Sequence, residues 1–264
     1  MMKRLKRLQQ VEVSLQIKDD TFIRPPTDQQ RNWLVNSALN EFVFHLQKLD
    51  ELAKGFAPGG DAGLATSDRT QAVLSDQEIM EDWQLPLMQE MAKAVTRSHG
   101  HVLEIGFGRG VSSAMIQDEG VRSHTIIECN DSIVQRFENW KKDYDGAEFN
   151  MVHGLWQDTL PELGKFDGVF FHTYPLNEDD LLQQIGQSVT FADHFFKHAA
   201  DHLESGGVFT YLSNEIDSLS RTHQRLLFDH FSKIDLQVIR GLNIPDDVKD
   251  AWWSDSMVVV AATK

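Results

Sequence analysis

Three observations predict an α/β fold, with a mostly parallel, doubly wound sheet that finishes in an antiparallel hairpin. From about residue 100 the chain alternates short apolar runs with helix-compatible stretches, which is the pattern of strands joined by crossover helices. The first of those runs enters the glycine turn "IGFGRG", Ile105 to Gly110, the usual form of a strand handing over to a helix N-terminus beside a ligand. The last two apolar runs, "LQVIRGLNI" and "WSDSMVVVAATK", follow one another with no helical pattern between them, so they should pair antiparallel.

Taken in order, residues 28–54 place Trp33, Leu34, Phe42, Leu46 and Leu49 at helical spacing among charges, which predicts a helix or helical pair. The stretch "GFAPGGDAGLATSDR" is loop or hinge punctuation. Ser75 and Glu78 form a capping box, and Ile79, Met80, Trp83, Leu87, Met88, Met91 and Val95 then trace one helical face, with Pro86 as an expected kink. Strands are expected at "HVLEIG", "SHTIIEC", "FDGVFFH" and "GVFTYLS", and helices around 112–118, 131–142 and 188–204. The chain is thus expected to divide into a helical extension over 1–60, a cap segment over 61–95 and the sheet domain over 96–264.

Composition narrows the partners. The 264 residues, 41% of them hydrophobic, suffice for a real core. Forty acids against 25 bases give a net charge of −15, which repels polyanions and argues against nucleic acid; the basic "MMKRLKR" reads as a solvated tail. No apolar run approaches the ~18 residues of a membrane span, and no signal segment opens the chain, so no membrane partner and a cytoplasmic location are expected. The single cysteine, Cys129, excludes an internal disulfide and reads first as a packing residue. His194, His198 and His202 share a helical face, but no H-E-x-x-H pattern accompanies them, so no metal site is expected. Trp252 and Trp253 read as packing residues.

The turn's glycines, Gly106, Gly108 and Gly110, give G-x-G-x-G rather than the dinucleotide fingerprint G-x-G-x-x-G. Glu104, in the strand before the turn, would add negative charge beside a pyrophosphate and instead suits a cationic, amino-acid-bearing ligand. Glu128, at the end of the next strand, suits a ribose diol. Together these features point to S-adenosyl-L-methionine as cofactor.

The segments "IMEDWQLPLM", "VLEIGFGRG", "IIECNDSIVQR", "HGLWQD", "FDGVFFHTYPL" and "GGVFTY" resemble, in order, those of the guanidinoacetate N-methyltransferase family of S-adenosylmethionine enzymes, over about residues 67–212. The resemblance implies a Rossmann-like class I methyltransferase, with a seven-stranded, mostly parallel sheet ending in an antiparallel hairpin and an N-terminal helical extension or lid. It implies that Gly106, Phe107 and Gly108 form the cofactor turn, that Glu128 binds the ribose, and that Gly154, Leu155 and Trp156 flank the adenine. It also implies that Met80 and the "MEDW" segment close over the cofactor. Cys129, Asn130 and His172 complete the expected cofactor set.

Three departures bear on the acceptor. Where the family places a glutamate after the tryptophan of its "MERWE" motif this chain has Gln84, and where it places an acid before "TYPL" this chain has His172. Those two carboxylates grip the guanidinium in the family, which a permanent cation with five donors requires. After "GGVFTY" the family presents small polar residues, whereas this chain reads Leu212, Ser213, Asn214, Glu215. The expected reaction is therefore N-methylation of a small nitrogenous metabolite, a neutral nitrogen heterocycle of the antibiotic- or toxin-precursor type, such as an azapteridine of secondary metabolism. His172 would be the catalytic base, titrating near ~6.5 unless the site shifts it, with Trp83, Gln84, Tyr174 and Asn214 contacting the substrate. The alternatives are a guanidino methyltransferase whose acids come from elsewhere, for example Asp82 or Glu215, and a non-catalytic cofactor-binding module. A homodimer is compatible with the sequence.

Overall fold

The computed structural model describes residues 79–173, 189–246 and 254–264, all within the unit Leu64–Lys264. The expected 28–54 helices, the glycine-rich hinge, the capping box at Ser75, Tyr174, Trp252 and Trp253 lie outside the described residues.

Seven strands form one sheet: β1 His101–Ile105, β2 Ser123–Glu128, β3 Phe149–His153, β4 Phe166–Phe171, β5 Leu203–Tyr211, β6 Lys233–Ile239 and β7 Met257–Thr263. Their order is β3-β2-β1-β4-β5-β7-β6. Neighbours from β3 to β5 pair parallel, and β7 runs antiparallel to both β5 and β6. The predicted class I architecture is thus observed. The order reverses between β1 and β4, which opens the crevice where doubly wound sheets bind ligands.

Helices flank the sheet: α1 Leu85–Val95, α2 Val111–Asp118, α3 Asp131–Trp140, the single turn α4 Trp156–Thr159, α5 Phe196–Asp201 and α6 Arg221–Phe228. The central strands are buried on both faces, which explains their near-continuous apolar text. Val169, Phe171, Phe209 and Tyr211 pack with Phe195 and Phe196 in one cluster. Val102, Phe170 and Val259 pack with Leu87, Met88 and Met91 of α1 in the other.

Several expectations change in detail. Pro86 lies in the first turn of α1, where its missing N–H costs nothing, so it starts the helix rather than kinking it. Ile79, Met80 and Trp83 precede α1, and residues 82–84 form a 3-10 turn. The 188–204 helix resolves into a 3-10 segment Phe191–Phe195 followed by α5, and β5 begins at Leu203. Strand β3 and helix α6 had no counterpart in the periodicity reading. β3 is only half-buried and α6 is mostly polar, so neither carries a strong apolar signal. β6 and β7 are antiparallel as expected, but residues 240–256 join them, so the connection is no tight turn. Among the described residues no helix is long and apolar enough to cross a membrane.

Gly168 shows how tightly α1 is seated. A Cβ at this β4 position would lie 2.1 Å from the Val95 carbonyl oxygen, whereas a Cβ at Gly164 would meet nothing within 4 Å. Gly168→Ala should therefore destabilise the fold by about 1–3 kcal/mol or more through overpacking, while Gly164→Ala should stay within about 0.5 kcal/mol of the native chain. Urea denaturation of the two variants measures the difference, and equal midpoints would contradict this packing.

Candidate active site

The site is built on the carboxyl ends of β1, β2 and β4. Gly106, Gly108 and Gly110 have φ of 91°, 54° and 78°, a left-handed series closed to ordinary side chains. It lets the turn double back tightly. Gly106 N–H donates to the Ile127 carbonyl at the end of β2, and His172 N–H donates to the Ile105 carbonyl. A Cβ on Gly106 would sit 2.7 Å from the His172 carbonyl oxygen, and one on Gly108 would sit 2.8 Å from Ile79 Cγ2. The turn therefore touches both the His172 backbone and the segment that leads to Gln84.

Glu128 lies at the mouth of this turn, 8% exposed. Its Oε2 accepts from Phe107 N–H at 3.0 Å and Gly108 N–H at 3.5 Å, and its Oε1 accepts from Asn130 N–H at 2.9 Å. The N–H groups that would cradle a phosphate are thus occupied by a carboxylate of the protein itself, which argues against a pyrophosphate here. A carboxylate has about four acceptor positions, so Glu128 keeps capacity for hydroxyl donors. A ribose diol fits it.

Glu104 behaves differently from the expectation of a ligand-facing acid. It is completely buried, its oxygens accept from the Ser112 and Ser113 hydroxyls in the first turn of α2, and His124 Nε2 lies 3.1 Å away. The carboxylate anchors α2 to β1, and a ligand would feel its charge rather than its hydrogen bonds. Asn130 is likewise engaged: its Oδ1 caps α3 by accepting from Ser132 and Ile133 N–H and from the Ser132 hydroxyl. Cys129 is half-buried, and burial, together with the neighbouring Glu128 charge, pushes its thiol up to about 11, so it stays an unreactive thiol near neutral pH.

The residues expected to flank the adenine follow β3. Gly154 donates its N–H to the Glu128 carbonyl at 2.9 Å. Leu155 starts the short turn α4. Trp156 packs edge-on against Phe195 and lies beside His194 and His198, with ring centroids 4.9, 5.8 and 5.2 Å away. His194 and His198 thus both border the Trp156 ring, His194 half-buried and His198 exposed. Met80 is buried in the α1 cluster.

On the acceptor side, burial pulls the His172 imidazole down to about 4, with the Glu104 charge opposing that shift. The expected titration near 6.5 is corrected accordingly. Gln84 is 4% exposed, and its Oε1 finds no hydrogen-bond partner among the described residues. Trp83, also buried, donates from Nε1 to Glu81 at 2.7 Å. Asn214 is exposed and left-handed at φ 56°, in the loop after β5.

The two acids considered as substitutes for the missing pair are both engaged. Asp82 lies 2.6 Å from Arg109. Glu215 Oε1 accepts from His223 Nδ1 at 3.2 Å, and His223 Nε2 in turn accepts from the Tyr211 hydroxyl at 2.5 Å. This buried relay ties the loop after β5 to α6, so Glu215 does not stand free to repel an anion. The periodicity reading missed Arg109, Ser112, Ser113 and His223. A lone arginine inside a glycine turn, and paired serines just behind it, were the available signals.

The guanidinoacetate N-methyltransferase family matches residues 53–235 of this chain. Protein arginine N-methyltransferase 2 of Yarrowia lipolytica is 29% identical over 164 residues, 57% of this chain and 32% of that protein. Its counterpart in Kluyveromyces lactis is 34% identical over 115 residues, 39% of this chain and 28% of that protein. The chain thus spans about a third of the length of the curated relatives it matches. Among solved structures, the N-methyltransferase NodS of Bradyrhizobium japonicum in complex with S-adenosyl-L-homocysteine superposes with a TM-score of 0.52 at 12% identity, covering 75% of this chain and 96% of that one. That likeness bears on the fold. With the family matched over more than half its length, the chain belongs to the guanidinoacetate N-methyltransferase family of S-adenosylmethionine-dependent methyltransferases.

Proposed function

We propose that this protein N-methylates an uncharged nitrogen acceptor, a small heterocycle being the favoured class, rather than a guanidinium. The observation that carries this reading is the chemistry at the two positions where the family holds its guanidinium-binding acids. One is a histidine kept neutral by burial, and the other is a buried amide whose oxygen has no partner among the described residues. A buried acceptor without a partner costs about 1–3 kcal/mol, and a ligand N–H would relieve it.

When bound, S-adenosylmethionine supplies an electrophilic methyl group on a sulfonium. The residues of this chain do the rest. Glu128 holds the ribose hydroxyls, and the Gly106–Gly110 turn fixes the near end of the cofactor. His172 accepts the proton from the acceptor N–H at its neutral imidazole, and Gln84 accepts a hydrogen bond from a neighbouring N–H of the same molecule. Trp83, Tyr174 and Asn214 complete the acceptor contacts in this reading.

The names of the fungal relatives support a second reading, with a protein arginine as acceptor. The two acids considered for a carboxylate pair, Asp82 and Glu215, are already engaged among the described residues. Incubating the protein with methyl-labelled cofactor and, separately, guanidinoacetate, arginine, arginine-containing peptides and a panel of pteridines and pyrimidinediones distinguishes the two readings. Methylation confined to uncharged heterocycles is expected. Efficient turnover of guanidinoacetate or a peptide arginine would overturn the proposal.

Three further outcomes follow from the named roles. Glu128→Ala should weaken S-adenosyl-L-homocysteine binding by about 1.5–3 kcal/mol, the size of hydrogen bonds to a charged group; unchanged affinity by calorimetry would remove Glu128 from the ribose. For His172, the base is the neutral form, so turnover is lost as pH falls through its pKa. With that pKa lowered to about 4, turnover should stay flat across the neutral range and fall only toward pH ~4, not near ~6.5. His172→Ala should lose ~10²-fold or more in turnover with cofactor affinity little changed. A native-like rate in that variant would exclude His172 as the base.

A further inference from the structure

Arg109 is the one charged side chain inside the glycine turn, and the reaction proposed above makes no use of it. Its Nη1 donates to the Met80 carbonyl at 2.9 Å and lies 2.6 Å from Asp82 Oδ1. The same segment touches the turn a second time, through Ile79 Cγ2 against Gly108. From there the chain runs directly into the 3-10 turn Asp82–Gln84, closed by Gln84 N–H on the Glu81 carbonyl and by Leu85 N–H on the Asp82 carbonyl. A path of direct contacts thus leads from the cofactor turn to Gln84.

We propose that Arg109 is a positioning residue that couples the cofactor turn to the Met80–Gln84 segment, so that seating the cofactor orders the group that reads the acceptor. The proposal rests on the cofactor and acceptor reading above. An exposed ion pair alone would carry little coupling, and Asp82 is 61% exposed. Arg109, however, is only 19% exposed, and its planar guanidinium grips a backbone carbonyl as well as the carboxylate. The carbonyl contact is therefore the durable part, and the contact to Asp82 is the screened part. The turn is tied to Glu128 through the Phe107 and Gly108 N–H groups, so a ligand held by Glu128 restricts the turn further. Arg109 passes that restriction on, and by linkage any loosening of the segment weakens the cofactor in return.

Hydrogen exchange of residues 79–88 in the full chain, with and without saturating S-adenosyl-L-homocysteine, tests the coupling, while calorimetry on the same samples confirms saturation. The ligand should slow exchange of the Gln84 and Leu85 amides by about tenfold or more in the native chain. Arg109→Met should lose most of that ligand-dependent protection while still binding the product cofactor several-fold more weakly. Arg109→Lys should recover part of it, and Asp82→Asn should keep most of it. A purely structural role would change exchange equally with and without ligand, so the ligand-dependent difference is the quantity read. If Arg109→Met fails to fold, Arg109→Gln carries the same expectation. Native-like ligand-dependent protection in either folded Arg109 variant would overturn the coupling. Failure of the native chain to bind the product cofactor would overturn the cofactor reading together with it, and calorimetry separates the two cases.

Discussion

The left-handed turn Gly106–Gly110 is the constraint on which the rest of the site depends. Three residues with φ near 91°, 54° and 78° fold the end of β1 back so closely that its neighbours arrive at van der Waals contact. A Cβ on Gly106 would press to 2.7 Å from the His172 carbonyl oxygen, and one on Gly108 to 2.8 Å from Ile79 Cγ2. Only the absence of side chains permits both approaches. A single alanine in this turn would be strained in its own backbone and would also push apart β4 and the segment before α1.

Two carboxylates sit on either side of that turn and do different work. Glu128, at the end of β2, holds the turn's N–H groups and keeps acceptor capacity for a diol. Glu104, one strand over, is sealed inside by two serine hydroxyls and a histidine. The outer acid thus defines which ligand the turn accepts, by filling the positions a phosphate would need. The inner acid fixes the helix that follows the turn and leaves a buried carboxylate beneath it.

How much of this was legible in the sequence differs by element. The central strands were clear because burial on both faces writes continuous apolar text, as in Phe166–Phe171 and Met257–Thr263. Strand β3 and helix α6 were not, since a half-buried strand and a polar helix leave little pattern. Pro86 looked like a kink because periodicity runs through it, yet the backbone places it in the first helical turn, where proline is tolerated. At the site, the glycine turn and Glu128 could be read directly, since their chemistry is carried by residue type. The partners of Glu104, Arg109 and Glu215 could not, because Ser113, Asp82 and His223 reach them through the fold, and which donor meets which acid is a matter of tertiary position.

The electrostatics of the acceptor side follow from the same geometry. Two unit charges about 4 Å apart repel by ~4 kcal/mol at an effective dielectric near 20, so a guanidinium brought up to a sulfonium needs nearby negative charge to be held there. Among the described residues, four acids considered for that role already have partners: Glu104 in α2, Glu128 in the turn, Asp82 in Arg109 and Glu215 in His223. A histidine held neutral by burial and a buried amide add no charge of their own and ask for none in return. The uncharged N–H acceptor proposed above would meet that environment without a desolvated cation, and in that proposal the proton released on methylation goes to the neutral imidazole.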